Sequence, residues 1–516
     1  MKDVNVKIPK FSNSLWRAYP PLSSFQPLKE DITTDVTIVG AGITGITSAY
    51  LLAKEGIQVV LLDAGKVIDG TTGYTTAKIS SQHGLIYNEL IRTVGEDAAK
   101  KYYNANQDAL SFIRKTSNEL SIDCELTSQS AYVYASSFST ENEIEKEAEA
   151  YERLGLNGGY AASDDVALPF EWKNAIVMRD QAQFHPVKYL QGLLAEFLRL
   201  GGKVYEQTRA VEIGKEKHPV VKTKEGHQIK STHVIVSSHF PFNDFDGLYF
   251  SRLHVERSYA LAVRVRSEIP DGMYLSADKP SRSIRYSSSP EGGKLLLLGG
   301  EGHPVGQSKQ ETLQNYEKLA DFGDRYFGGI IDIPYRWSSQ DIFTLDKIPY
   351  IGQMHTDNDS VLVSTGYAKW GMTNGTAAAL LLKDLILHQV NPFKELFDPG
   401  RSEWKPASIK SFVKENANVA KELLKGKAKR QDRLLEDLGS DEGALVKIGG
   451  KKVGAYKDTT GHCHLIQPTC THMGCDVEWN NAERSWDCPC HASRFNYKGQ
   501  VIEGPAVKDL SKFEGA

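Results

Sequence analysis

Three glycines between a predicted strand and a predicted helix constrain the fold of this chain most. Their spacing is Gly40-x-Gly42-x-x-Gly45; an apolar run precedes them, a helix-forming run follows, and a second apolar run ends at Asp63. In such a β-α-β unit the first glycine permits a tight turn, the second lets a pyrophosphate approach the backbone, and the third lets helix and strand pack closely. The pattern predicts a parallel sheet that binds a dinucleotide at the helix N-terminus, with Asp63 accepting hydrogen bonds from a ribose.

The glycine fingerprint occurs once, which bears on the identity of the dinucleotide. The other glycine-rich stretch, 299–302, lacks the spacing and the aliphatic helix that would follow. A flavoprotein that is reduced by NAD(P)H usually needs a second nucleotide site of this kind. The single fingerprint therefore disfavours a pyridine-nucleotide reductase.

Composition and charge exclude several classes of partner. Lysine and arginine number 61, and aspartate and glutamate 65, a formal charge of −4, so we expect no nucleic acid and no anionic membrane surface as a partner. No stretch reaches the roughly 18 consecutive apolar residues of a membrane-spanning helix, and residues 1–11 lack the apolar segment of a secretion signal. We therefore expect a cytoplasmic protein without an integral membrane segment.

Four of the six cysteines lie close together near the C-terminus. They include the pattern Cys470-x-His472 followed, after fifteen residues, by Cys488-x-x-His491. A disulfide framework would be spread over a domain, so the clustering predicts a local metal site. Two thiolates and two imidazoles match a [2Fe-2S] centre in which two histidines replace two cysteines on one iron, and zinc also accepts such a set.

Residues 432–516 resemble a Rieske domain. The resemblance rests on Cys-Thr-His-x-Gly-Cys from residue 470, Cys-Pro-Cys-His-x-Ser from residue 488, and Gly-Pro-Ala at 504–506 as a covering proline loop. Zinc ribbons use closer cysteine pairs and do not need the two additional cysteines. The resemblance implies a [2Fe-2S] cluster with Cys470 and Cys488 on one iron, His472 and His491 on the other, and a disulfide between Cys475 and Cys490.

Two further positions of the Rieske-like segment concern the potential of the cluster. Ser493 matches the hydroxyl that hydrogen-bonds a cluster sulfur in high-potential Rieske proteins, and Phe495 stands where those proteins have a tyrosine. The resemblance therefore implies a potential below that of the bc-complex proteins and above that of all-cysteine ferredoxins. A Rieske oxygenase is excluded, because outside the cluster no closely spaced histidine pair is followed by a carboxylate that could hold a mononuclear iron.

Residues 34 to about 388 resemble the DadA-like family of FAD oxidoreductases, which includes D-amino acid oxidase and glycine oxidase. The matching segments occur in the family's order, at 35–45, 71–78, 184–186, 210–211 and 346–375. In that family a helix N-terminus faces the flavin pyrimidine, where its positive end stabilises the anionic reduced flavin. The residues implied as FAD contacts are Gly40, Gly42, Gly45, Asp63, Thr75, Thr76, Lys78, Val211, Gly371, Met372 and Thr373.

Members of this family hold a substrate carboxylate with arginine, lysine or tyrosine near the flavin. The resemblance makes Lys78, His83, Arg285 and Tyr259 the catalytic candidates, and Gln82, Arg282 and Tyr286 are further polar residues in the same segments. Where some members carry a basic residue just beyond the glycine-rich turn, this chain has Thr373. We expect FAD to be bound non-covalently, and His83 or Cys124 is the alternative as a covalent attachment site.

Together these segments predict an α/β FAD-binding Rossmann-like domain with an inserted α+β substrate domain, and a small all-β Rieske domain. The FAD-binding parts are placed at about 35–105, 180–245 and 336–390, and the substrate domain at about 106–179 and 246–335. The remaining segments are an N-terminal leader at 1–34, a linker with a helix at 391–431 and the Rieske domain at 432–516.

The two predicted cofactors, FAD and a [2Fe-2S] cluster, indicate an FAD-dependent oxidoreductase of the dehydrogenase type. Its small-molecule electron donor would be an amine, an amino acid or a related compound, and the cluster would pass the electrons on to a protein or quinone-like acceptor. Two alternatives remain: a non-catalytic redox sensor in which the Rieske unit regulates the flavoprotein, and an oxidase that uses O2. The complete set of cluster ligands favours electron transfer.

Overall fold

The computed structural model describes residues 6–19, 24–214, 216–245, 247–308, 310–355, 358–401, 406–428 and 433–514. Among these residues, no helix is both long enough and apolar enough to cross a membrane. The α-helices are α1 (Ile43–Lys54), α2 (Tyr87–Val94), α3 (Glu96–Glu119), α4 (Phe138–Leu154), α5 (Pro186–Arg199), α6 (Tyr249–Arg252), α7 (Leu313–Tyr326), α8 (Gly371–Ile386), α9 (Lys394–Phe397) and α10 (Pro406–Ala428).

The strands fall into three groups along the chain. The first ten are β1 (Ile32–Val39), β2 (Val59–Leu62), β3 (Lys78–Ile79), β4 (Thr127–Ala135), β5 (Gly158–Tyr160), β6 (Asn174–Gln183), β7 (Lys203–Tyr205), β8 (Ala210–Ile213), β9 (Val220–Thr223) and β10 (Gln228–Val236). The next eight are β11 (Leu253–Val265), β12 (Met273–Ser276), β13 (Arg282–Ser288), β14 (Lys294–Pro304), β15 (Ile330–Thr344), β16 (Tyr350–His355), β17 (Asn358–Thr365) and β18 (Tyr367–Ala368). The C-terminal strands are β19 (Glu442–Ile448), β20 (Lys451–Lys457), β21 (Cys463–Ile466), β22 (Glu478–Asn480), β23 (Ser485–Asp487), β24 (Arg494–Asn496) and β25 (Val501–Glu503).

A mixed sheet with a parallel centre contains the glycine fingerprint. Its order is β16-β17-β10-β1-β2-β7, with parallel pairing from β17 to β7, and β8 and β9 attach to β10. Most residues of β1 and all of β2 are buried, as expected for central parallel strands with both faces covered. The predicted β-α-β unit and the Rossmann-like domain are confirmed.

A second, larger sheet forms the inserted α+β domain. Its order is β18-β15-β11-β14-β13-β12-β4-β6-β3, with β5 paired to β6, and only β12 and β4 pair in parallel. The long strand β15 runs through the boundary predicted at 335/336, and β3 belongs to this sheet although the sequence placed it with the FAD-binding parts. The reason is that β15 pairs with β11 over almost its whole length, which local patterns do not reveal.

The C-terminal segment forms two small antiparallel sheets, β19-β20-β21 and β22-β23-β24-β25. Its apolar core contains the cysteines of the predicted metal site together with Trp486 and Phe495. The prediction of a small all-β domain is confirmed.

Buried charges join this C-terminal domain to the rest of the chain. Arg257 of β11 lies 3.6 Å from the carboxylate of Asp487, and Arg336 of β15 lies 3.7 Å from that of Glu483. All four side chains are at most 5% exposed. A buried charge is tolerated only when it is paired, so these contacts hold the two units in one arrangement.

The linker helix α10 contacts the C-terminal domain with part of its surface. Leu423 packs against the core that contains the cysteines, whereas Ile409, Val413 and Leu424 are 41%, 60% and 70% exposed. The Asn416 amide donates to the carbonyl of Ser251 at 3.0 Å. The basic stretch 425–430 lies partly outside the described residues.

Candidate active site and metal centre

The turn after β1 has a backbone that only glycine can supply. Gly40 has a φ of +107°, and a Cβ there would lie 2.5 Å from the carbonyl oxygen of Ser237. A Cβ on Gly45 would lie 1.9 Å from the carbonyl oxygen of Gly40. At Gly42 a Cβ would lie 3.0 Å from the Thr72 hydroxyl. The space left by these glycines at the start of α1 fits a pyrophosphate.

Asp63 lies at the end of β2 beside this turn. Its carboxylate accepts hydrogen bonds from the backbone N–H of Ala41 at 3.0 Å and of Gly65 at 2.8 Å. Burial raises its pKa to about 6. Because each carboxylate oxygen can accept more than one hydrogen bond, Asp63 still has capacity for a ribose hydroxyl.

The N-terminus of α8 lies next to that of α1. A Cβ on Gly375 of α8 would lie 2.8 Å from Ile43, and the hydroxyls of Thr44 and Tyr367 are 3.0 Å apart. The structure therefore brings Gly371, Met372 and Thr373 to the side of the glycine turn. Together with the glycine cradle, the two adjacent helix N-termini fit the phosphates and flavin of FAD.

Lys78 and Arg285 are two buried cations that lie close enough to affect each other's ionisation. The Lys78 ammonium donates to the carbonyl of Tyr274 at 3.1 Å, and Arg285 Nε donates to the carbonyl of Thr76 at 2.5 Å. Burial lowers the pKa of Lys78 to about 7, with a further contribution from Arg285, and burial lowers that of Arg285 to about 9. Arg285 Nη2 is buried without a hydrogen-bond partner among the described residues. A buried donor of this kind is available to bind an anion.

The remaining catalytic candidates are engaged by protein groups. His83 Nδ1 lies 2.6 Å from the Tyr102 hydroxyl, its Nε2 lies 2.7 Å from the Ser80 carbonyl, and burial lowers its pKa to about 3. The Tyr259 hydroxyl lies 2.9 Å from His303 Nε2, and burial raises its pKa. Neither side chain is brought into contact with the two buried cations.

The other predicted FAD residues lie in two separate places. Thr75 and Thr76 precede β3, and a Cβ on Gly299 would lie 3.6 Å from the Thr76 methyl group. Val211 lies in β8 and lines a cavity of about 590 Å³ that also contains His472.

The structure also assembles polar residues that the sequence did not single out. Lys369 lies two residues before α8; its ammonium is 3.1 Å from the Asp341 carboxylate and hydrogen-bonds the Ser258 hydroxyl. Lys369 could have been noticed from its place beside the glycine-rich turn at 371. Asp341 and Ser258 carry no local signal, because they meet only through the pairing of β11 with β15.

The predicted metal ligands converge between two loops. Cys470 and Cys488 are buried free thiols, and a disulfide joins Cys475 to Cys490, as predicted. A hydrogen bond from the Cys488 thiol lowers the pKa of Cys470 to about 6, so the proton of one thiol is already weakly held. Thiolate is the form that binds iron.

The two histidines complete the donor set. The rings of His472 and His491 lie 5.0 Å apart, and the Nδ1 atoms of both are buried with no hydrogen-bond partner among the described residues. Burial lowers the pKa of His491 to about 3, which keeps its ring neutral and able to bind metal. Two thiols and two free Nδ1 atoms fit a [2Fe-2S] cluster of the Rieske type.

One side of this metal centre is covered by residues from the segment between β10 and β11. His472 Nε2 lies 3.1 Å from the Asp244 carboxylate, and the ring of Phe245 lies 5.1 Å from the His472 ring. The ring of Phe250 lies 5.8 Å from that of His491. The candidate cluster thus lies at the contact between the two units.

Ser493→Ala should lower the midpoint potential of the cluster in the full chain. The Ser493 hydroxyl hydrogen-bonds Cys470 and accepts the N–H of Ala506 at 3.0 Å, so its own proton is free to donate to sulfur. Hydrogen bonds to cluster sulfurs favour the reduced state, and a loss of about 1.4 kcal/mol corresponds to about 59 mV for one electron. A redox titration followed by circular dichroism measures the shift, and a potential equal to or above that of the wild type would remove the assignment.

Phe495→Tyr is the reciprocal change and should raise the potential by a similar amount. Phe495 is fully buried in the same core as Cys470 and Cys488, so a hydroxyl on its ring enters the sulfur environment. The same titration tests this, and an unchanged or lower potential would show that the hydroxyl finds no sulfur.

Family models match most of this chain. Residues 35–385 match the FAD dependent oxidoreductase family, and residues 432–514 match the Rieske [2Fe-2S] domain. The Rieske 2Fe-2S iron-sulfur protein YhfW of Bacillus subtilis (strain 168) is 46% identical over 499 residues, which cover 97% of both chains.

More distant relatives and solved structures cover about 70% of the chain. Gamma-glutamylputrescine oxidoreductase of Escherichia coli (strain K12) is 25% identical over 379 residues, 70% of this chain and 85% of that protein. Glycine oxidase from Geobacillus kaustophilus superposes with a TM-score of 0.60 at 16% identity and covers 72% of this chain and 99% of that chain. The structural likeness confirms the fold.

Proposed function

We propose that this chain, which belongs to the FAD dependent oxidoreductase family and ends in a Rieske [2Fe-2S] domain, oxidises a small amine or amino acid and passes the electrons through the cluster to an external acceptor. Bound FAD supplies a two-electron acceptor, and the cluster supplies a one-electron carrier. The amine or amino-acid class is supported by relatives named for gamma-glutamylputrescine and glycine.

One short loop carries the proposal of electron transfer between the cofactors. It leaves the end of β10 beside the glycine turn, where the Ser237 hydroxyl donates to the carbonyl of Gly40 at 3.1 Å. Seven residues later the same loop reaches the cluster ligand His472 through Asp244. The two proposed cofactor sites are therefore joined by a single short, partly buried segment of backbone, which favours internal electron transfer over a remote sensing role.

The strands β11 and β15 support the same proposal. Ser258 and Asp341 lie on the face that meets Lys369, near the start of α8. Gln340, on the opposite face, donates to the carbonyl of Ala492 at 3.4 Å, and Ala492 follows the cluster ligand His491. Only the thickness of one sheet separates these two groups of residues.

The buried cations Lys78 and Arg285 favour a substrate that carries a carboxylate. Among the described residues neither side chain forms an ion pair with a carboxylate; the Glu125 carboxylate, which pairs with Lys188 at 2.6 Å, acts on Arg285 only from a longer distance. A buried charge without a close partner costs several kcal/mol. A substrate carboxylate at Arg285 Nη2 would supply the missing negative charge. We therefore favour an amino acid, or an amine with a carboxylate group, as the substrate that donates electrons.

A substrate screen tests the proposal. Candidate amines and amino acids are mixed anaerobically with the holoenzyme, and flavin bleaching and cluster reduction are recorded together. The proposal requires that at least one carboxylate-bearing amine reduces both cofactors. Flavin bleaching that always leaves the cluster oxidised would favour an O2-using oxidase, and no bleaching with any compound would favour a redox sensor.

Arg285→Met should raise the KM for the carboxylate-bearing substrate by about tenfold to a hundredfold, because a hydrogen bond between charged groups is worth about 1.5–3 kcal/mol. Steady-state kinetics with the compound found in the screen measures this change. Arg282→Met is the matched control on the same strand, since Arg282 already pairs with Glu301 at 2.6 Å. An unchanged KM in Arg285→Met, or an equal effect in the control, would contradict the role of Arg285.

A further inference from the structure

Asp244 is a buried carboxylate whose hydrogen-bonding capacity is only half used. Its side chain is 1% exposed, one oxygen lies 3.1 Å from His472 Nε2, and the other has no hydrogen-bond partner among the described residues. An ionised carboxylate in such a place is costly unless a strong donor faces it. The only donor that the described residues offer to this carboxylate is the imidazole of His472.

The geometry fixes which nitrogen of His472 can bind iron. Nε2 is directed at Asp244 as a donor, and Nδ1 is buried and free. A metal-bound histidine commonly donates its second N–H to a carboxylate, which orients the ring and makes the metal-binding nitrogen more electron-rich. Asp244 lies where such a carboxylate would accept the N–H of His472. It belongs to the loop after β10 and not to the Rieske domain itself.

We propose that Asp244 is a positioning residue of the cluster, supplied by the FAD-binding part of the chain, and that it holds the cluster at a lower potential than the Rieske domain would set alone. The negative charge favours the oxidised cluster, which is the more positive redox state, and the hydrogen bond acts in the same direction by strengthening the histidine as a ligand. The domain contact thereby tunes the cluster. This inference rests on the presence of the cluster and does not depend on the substrate or on the direction of electron flow.

The other cluster histidine lacks such a carboxylate among the described residues. His491 is covered by the ring of Phe250, an apolar neighbour. Phenylalanine rings lie beside both histidines, so the two differ in the carboxylate that faces His472 alone among the described residues. This asymmetry predicts that a change at Asp244 affects the potential far more than the loss of a carboxylate elsewhere around the same cavity.

The test is the midpoint potential of the cluster in the full-length holoenzyme, titrated chemically and followed by circular dichroism and electron paramagnetic resonance. Asp244→Asn removes the charge and keeps the size, and we expect an upward shift equivalent to about a tenfold change in the equilibrium for cluster reduction, about 59 mV. Asp244→Glu restores the charge and should stay near the wild type. Glu216→Gln removes an exposed carboxylate at the rim of the same cavity and should shift the potential little.

Iron content is measured for each variant so that cluster loss is not mistaken for tuning. Loss of the cluster from Asp244→Asn with retention in Asp244→Glu would also support the proposal, because the carboxylate then holds His472 in place. An unchanged potential in Asp244→Asn would overturn the proposal. Equal shifts in Asp244→Asn and Asp244→Glu, or loss of the cluster from both, would overturn it as well, since the charge would then not be the cause.

Discussion

Gly42→Val is expected to yield a chain that purifies with less than about a tenth of the wild-type FAD. A Cβ at this position already comes within 3.0 Å of the Thr72 hydroxyl, and the two methyl groups of valine fill the space that the pyrophosphate needs at the start of α1. Each loss of about 1.4 kcal/mol of binding free energy lowers the affinity tenfold, so a clash that costs several times this amount leaves the site without FAD after purification. Flavin released by acid and measured by absorbance gives the stoichiometry.

Two further measurements accompany the Gly42→Val experiment. Gly42→Ala places only the Cβ, so an intermediate FAD content is expected, and the cluster should remain at wild-type content in both variants. Acid should also release the flavin of the wild type into solution, since both nitrogens of His83, the sequence-based candidate for covalent attachment, are occupied by protein groups. Wild-type FAD stoichiometry in Gly42→Val would remove the dinucleotide site from the turn after β1.

Cys488→Ser and His491→Ala should each lose the [2Fe-2S] spectrum completely and keep FAD. Each change removes one of the four ligands, and the cluster lies in a core of its own, apart from the core that contains α1 and β1. Absorbance, iron content and released flavin measure the two cofactors separately. Cys463→Ser is the matched control, because Cys463 lies in β21 outside the ligand set and should retain the cluster.

A joint loss of both cofactors would contradict this separation of the two sites. The buried pairs between Arg257 and Asp487 and between Arg336 and Glu483 make such coupling a real alternative outcome. It would show that the Rieske domain is needed to fold the FAD-binding part, and the boundary near residue 432 would then not mark an independent unit.

The sequence predicts those parts of the fold that depend on residues close together along the chain. Gly40 and Gly45 have no room for a side chain, and the spacing from Cys470 to His491 places four metal donors on two adjacent loops. Both requirements can be read from neighbouring residues along the chain. The disulfide between Cys475 and Cys490 is implied only by the resemblance to a Rieske domain, and the structure contains it.

The contacts that the sequence did not reveal depend on residues far apart in the chain. Asp244 meets His472 across 228 positions, and Lys369 meets Ser258 across 111. A single aspartate or lysine has no pattern that marks it as buried. The exposed apolar side chains of α10 show that an apolar helical face in the sequence does not determine whether a neighbouring element covers it.

The most direct measurement of the central claim is rapid anaerobic mixing of the holoenzyme with the substrate found in the screen. We expect that flavin absorbance falls first and that the cluster is then reduced at a rate independent of protein concentration, because transfer occurs within one chain. In Cys488→Ser the flavin should bleach at the wild-type rate with no later phase. A cluster that stays oxidised after complete flavin bleaching in the wild type would contradict the account.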